Sequence, residues 1–194
     1  MPSTYYSLAR EMVKSSDEAM DIPVISKYAT GVVIFSFAAI ESFVNQLTAK
    51  LGVVVEPSGR CECEYPKIFN KIDAILGNME NQQQTLLLKG RGEYQEFDSL
   101  RLARNFLIHY APVEELMWES TGQHFETENL LRIERQLKNY YSFSEKSIAP
   151  NGIGTYYRIF NKECAKWAFA RIAAFIGALS EVSGVQPPRF TDTQ

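Results

Sequence analysis

The sequence is poor in the residues that build disulfide frameworks and metal centres, with three cysteines and two histidines among 194 residues. So few thiols, and an odd number of them, exclude a disulfide scaffold and point to a reducing compartment, so a cytoplasmic protein is expected. Cys61 and Cys63 form a C-x-C pair, but with neither a second pair nor a nearby histidine it is a poor zinc site. No metal and no cofactor are expected. An excess of charge is also lacking: 20 basic against 23 acidic side chains give a net charge of −3. That balance excludes a whole-surface field for nucleic acid and confines any such site to a local patch. The Gly90-Arg91-Gly92 turn is too short for a phosphate-binding loop and lacks the Lys-Ser/Thr ending. The longest apolar run, Gly31 to Ile40, is shorter than a bilayer span and reads as a buried helix. The amphipathic start, M-P-S-T-Y-Y-S-L-A-R-E-M, has no signal-peptide core, and no membrane partner is expected.

What is present is an apolar fraction of 45% with 12% aromatics, enough for one sizeable core, so a single domain over 1–194 is expected. Apolar residues recur at helical spacing along most of the chain. The expectation is an all-α, up-and-down helical bundle of about five to seven helices. Ser3 to Met20 reads as a first helix with Tyr6, Ala9, Met12, Val13 and Met20 inward, separated by Pro23 from a long second helix, Lys27 to Leu51. A loop follows over 52–65. Pro66 then opens a short helix, Lys67 to Leu76, with Gly77 as its stop, and a further helical stretch leads to the Gly90 turn. Glu128 to Tyr141 is amphipathic, with Leu130, Leu131, Ile133, Leu137 and Tyr140 on one side and Arg132, Arg135 and Lys138 on the other. That basic side is either an RNA-facing flank or a solvated face. Thr155 to Ile159 reads as a brief strand or as the lead-in to a last helix, Lys162 to Val182, and a tail begins near 184.

One stretch carries chemistry: Glu93 to Pro112, E-Y-Q-E-F-D-S-L-R-L-A-R-N-F-L-I-H-Y-A-P. Gly90 and Gly92 precede it, Phe97, Leu100, Ala103, Leu107 and Tyr110 make its buried stripe, and Pro112 ends it. At about 100° per residue Arg101, Asn105 and His109 share a face, and an amide one turn away can hold an imidazole tautomer. Arg104 stands about 140° from His109, so it must reach round the helix, or a second copy must complete the set. His109 lies in the last turn, where the helix dipole favours a cation and raises the imidazole toward neutrality. The alternative is structural, since cations cap helix C-termini and arginines snorkel from apolar helices. His124, in a polar stretch after Gly122, reads as a loop histidine or as a second catalytic one. Glu41 and Asn45, one turn apart in the second helix, either bond to each other and a neighbouring helix or turn to the site, where Glu41 would position Arg104.

Arg104, Asn105, Phe106, Leu107, Ile108 and His109 match the R-N-x-x-x-H pattern, and the chain here resembles the HEPN superfamily. The stretch F-A-A-I-E-S-F-V-N-Q-L, Phe37 to Leu47, is similar to the early helix of that superfamily, in which an acidic residue and a following Asn interrupt an apolar run. The resemblance implies a helical bundle that forms a homodimer, with the Arg and His of two subunits lining one cleft. It also implies a metal-independent endoribonuclease acting on RNA in a toxin–antitoxin or phage-defence setting, with an antitoxin or regulatory protein as a possible partner. In that chemistry a base takes the ribose 2′-hydroxyl proton and the oxygen attacks the adjacent phosphate, leaving a cyclic phosphate. His109 would be base or acid, Arg104 would stabilise charge on phosphorus, and Asn105 would orient His109 or hold a phosphate oxygen. Arg101, Glu41 and Tyr110 are candidates for holding substrate. In one toxin branch a residue intervenes between the His and a Tyr, whereas here Tyr110 follows His109 directly.

Overall fold

The structure is a computed structural model and describes residues 2–55, 68–77, 88–110, 125–143 and 152–188. Among the described residues there is no strand, and the chain is all-helical, as its periodicity predicts. The helices are α1 (Pro2–Glu18), α2 (Ile22–Lys50), α3 (Ile68–Gly77), α4 (Gly92–Tyr110), α5 (Phe125–Leu137), α6 (Gly152–Ile159) and α7 (Lys162–Ser183). The expected loop over 52–65 is irregular at 53–55; its remainder, with Cys61 and Cys63, lies outside the described residues, as do Trp118 and His124.

Helix α2 is the centre, packed most extensively by α1 and also by α7, α4 and α3. Pro23 opens it rather than separating it from α1, because a residue with φ already set and no N–H to satisfy suits the first turn. Val32, Val33, Phe37, Ile40, Phe43, Val44 and Leu47 are buried, which is why this helix is apolar nearly all round. Counted over the whole helix, rather than over Gly31 to Ile40, α2 is long and apolar enough to cross a membrane by length and composition. In this structure 39% of that apolar window is buried inside the protein.

Four helices meet at Phe97. Its ring is fully buried and lies 5.7 Å from Phe37 of α2, 5.5 Å from Phe69 of α3 and 4.2 Å from Phe175 of α7. Offset and edge-on ring pairs of this kind add about 0.5–1.5 kcal/mol each beyond area burial. Polar ties fix the same junction from outside: Glu96 pairs with Arg171, and Arg91 grips Glu181 through its two terminal nitrogens, which donate one to each carboxylate oxygen at 2.7 and 3.2 Å. The start of α4 is thereby held to α7.

Several expectations are corrected. Met20 is 90% exposed, because α1 ends at Glu18 and the side chain falls on the connection. Helix α5 begins at Phe125 and ends at Leu137, and Leu131 is 41% exposed while Ile133 and Leu137 are buried. Of the two readings of Thr155 to Ile159 the strand is excluded, and residues 152–159 form a helix leading to α7: the glycines at 152 and 154 weaken intrinsic helicity, but Tyr156 is anchored to Thr30 of α2 by a 2.8 Å hydroxyl bond and packs on Phe160. Helix α7 starts at an Asn161 cap whose Oδ1 accepts from Cys164 N at 2.9 Å, and stops at Gly184 in the left-handed region, φ 66°.

Candidate functional site

Helix α4 presents two different sides. Phe97, Leu100, Ala103 and Leu107 are buried as predicted, and Phe106 joins them by stacking on Phe160 at 6.2 Å. Asp98, Arg101, Arg104 and Asn105 are half-buried, and Ile108 is exposed. Ser99 turns toward α5 and neighbouring residues, where its hydroxyl donates to Tyr140 and accepts from Gln136 Nε2.

Arg104 lies against α2. Its guanidinium carbon lies 5.2 Å from the centroid of the Phe37 ring, and one terminal nitrogen donates to Asn105 Oδ1 at 3.0 Å. The aromatic face attracts the cation, and the amide oxygen fixes its direction. Among the described residues no carboxylate comes within ion-pair distance of Arg104.

Arg101, one turn earlier, is arranged differently. It lies 5.1 Å above the Phe69 ring, and its Nε and a terminal nitrogen both donate to Asp98 Oδ1, at 2.9 and 2.7 Å. Helix α4 runs through Tyr110, so the backbone carries His109 one turn beyond Asn105; the side chains of His109 and Tyr110 lie outside the described ones.

Glu41 is half-buried on α2, one turn after Phe37, and makes no ion pair with Arg104. Of the two arrangements expected for Glu41 and Asn45, Asn45 takes the one toward a neighbouring helix, accepting from Lys71 Nζ of α3 at 2.7 Å. Arg132 and Arg135 are exposed on α5, as is Lys138 just beyond its end. No group of three or more histidine, cysteine or acidic side chains that could hold a metal ion occurs among the described residues.

No family model, no curated protein and no solved structure matches this chain. The edge of α4 therefore has to be read from its own chemistry. Sequence reasoning missed three of its parts. Phe37 and Phe69 form aromatic floors under the two arginines, and helix-to-helix contacts leave no trace in local spacing. Asp98 was legible, since an acid three residues before a base on a helix is a favourable ion pair.

Proposed function

We propose that the protein is a metal-independent endoribonuclease of the HEPN type, cutting RNA by attack of a ribose 2′-hydroxyl on the adjacent phosphate. The observation that carries this reading is the Arg104 guanidinium: half-buried, backed by an aromatic ring, directed by Asn105 and without a carboxylate among the described residues. A partly desolvated cation aimed by its neighbours is an anion site before the anion arrives, and needs little reorganisation when charge builds on phosphorus. Its bond to Asn105 occupies the amide oxygen, which leaves the amide N–H groups to donate to a phosphate oxygen or to the imidazole.

His109 supplies the proton transfers. An imidazole is the side chain suited to both accept and give a proton at neutral pH. It takes the 2′-hydroxyl proton or returns one to the leaving 5′-oxygen, and a cyclic phosphate and a 5′-hydroxyl result. Two copies of α4 in a homodimer of up-and-down bundles would bring an Arg104 from one to a His109 of the other. The balanced net charge of −3 suits a cleft enzyme whose few cations are local. The setting is a cytoplasmic toxin–antitoxin or phage-defence system, in which a dedicated antitoxin restrains the activity.

The test is cleavage of RNA in EDTA. Purified protein is expected to release fragments with cyclic phosphate and 5′-hydroxyl ends, and Arg104→Ala or His109→Ala to abolish release with helical content and dimerisation unchanged. Binding without cutting by the unmodified protein would replace this reading with a non-catalytic RNA-binding one. If neither occurs and His109→Ala melts the fold, the set is structural.

A further inference from the structure

Two arginines on the same edge of α4 have the same aromatic backing and differ in their ion pairing among the described residues. Arg101 and Arg104, three residues apart, each lie over a phenylalanine ring from another helix, at 5.1 and 5.2 Å. Side chains so spaced start about 5–6 Å apart at Cβ. Arg104 has no carboxylate within ion-pair distance among the described residues, whereas Arg101 carries Asp98 on the two donors, Nε and a terminal nitrogen, that make its bidentate edge.

We infer that Arg101 over Phe69 is a second phosphodiester subsite beside Arg104, and that the Asp98 carboxylate is the internal anion that fills it until a nucleic-acid strand displaces it. The geometry of the pair favours displacement. Asp98 offers one oxygen, Oδ1, to both donors, so the two hydrogen bonds converge on one atom. A phosphate presents two oxygens to the same edge and makes two parallel bonds. The pair is also within reach of solvent, with side chains 29% and 39% exposed, so water screens the resident contact and a strand can approach. Phe69 holds the guanidinium plane in place while its partner changes.

Asp98 therefore tunes affinity for the strand and does no chemistry. The inference rests on the reading of the α4 edge as a phosphodiester site, and the probe separates the two. A fluorescent oligodeoxyuridine lacks the 2′-hydroxyl, so it reports backbone contacts with no cleavage. Asp98→Asn is expected to tighten its binding about three- to tenfold. The fall of log K with log salt should steepen by about 0.7, the contribution of one further phosphate contact on a single strand. Arg101→Ala placed in the Asp98→Asn protein should cancel both changes, while Arg101→Lys should keep part of the first. Melting curves of each variant establish that the fold is intact, and Asp98→Ala serves if the asparagine variant is unstable.

Unchanged affinity and slope in Asp98→Asn, with RNA still cut by the unmodified protein, overturns the subsite and leaves the nuclease reading standing. Tighter binding that depends on Arg101, with no cutting of RNA, supports the subsite and removes the nuclease. No binding of the strand by either protein removes the subsite, and removes the nuclease as well if RNA is also left uncut.

Discussion

The Arg104 guanidinium lies over the Phe37 ring and donates to the Asn105 amide oxygen, so a residue of α2 and a residue of α4 together determine where one positive charge points. Neither contact alone would do so. The ring attracts without direction, and the amide directs without holding.

Phe37→Leu separates the two effects. Leucine keeps most of the apolar volume beside Phe97, so stability should fall by about 1 kcal/mol. Losing the aromatic face removes about 0.5–2 kcal/mol of attraction for the cation. Cleavage by this variant should drop about three- to tenfold with the helical content unchanged. An unaltered rate would show that the ring has no part in aiming Arg104.

Asn105→Asp places a carboxylate where Arg104 now meets an amide oxygen. The new pair should neutralise the guanidinium and reduce cleavage by about a hundredfold or more, the scale of losing one group that stabilises transition-state charge. Stability should stay within about 1 kcal/mol, because a half-exposed pair gains little and a carboxylate near a helix C-terminus loses a similar amount. Activity lost at an unchanged melting temperature is the signature. A fall in both would indicate a packing role instead.

Gly31 lies where α1 crosses α2, and a Cβ added there would clash with the Met12 sulfur and stand 3.1 Å from its Cε. Alanine gains about 1 kcal/mol of helix propensity, while overpacking costs about 1–3 kcal/mol. The Met12 thioether is the free end of a flexible side chain and can move aside, so Gly31→Ala should lower stability by no more than about 1 kcal/mol. Met12→Ala in the same chain should recover much of that loss. Additive effects in a denaturation double-mutant cycle would show that the two helices do not meet there.

Cys164 is fully buried, and burial pushes its thiol up from 9.0 to about 12, partly offset by a hydrogen bond with Tyr141. Burial also raises the Tyr141 phenol well above 10.0. In both cases the folded state holds its proton more tightly than the unfolded chain. Stability from Cys164 is therefore intact below pH 9 and declines as pH rises from 9 toward 12, at up to about 1.4 kcal/mol per pH unit. Tyr141 adds to the decline above pH 10. Melting curves across alkaline pH should be shallower for Cys164→Ala. Identical slopes would show that the thiol is not shielded.

The parts of the fold that were legible are those whose periodicity matches their burial. The α4 stripe of Phe97, Leu100, Ala103 and Leu107, and the band of α7 through Trp167, Ile172, Phe175 and Leu179, lie in the core where helical spacing predicts them. What was not legible depends on contacts distant in sequence. Residues 152–159 carry two glycines and a run of β-formers, and become helical because Tyr156 and Phe160 have partners in α2 and α4. Met20 and Leu131 are apolar residues whose exposure follows from where a helix stops and which neighbour arrives. In the site, the angle of Arg104 around the helix was visible. The Phe37 surface that receives its side chain was not.

The ties at the base of α4 set more than its position. Arg91 on Glu181, Glu96 on Arg171 and Ser99 on Gln136 and Tyr140 lock the helix's rotational phase two turns before the working residues. A single residue inserted between Ser99 and Arg104 would leave that lock closed and swing the guanidinium by about 100°, off its ring and away from its amide. The spacing from anchor to cation is thus a dial setting that the chain length alone maintains.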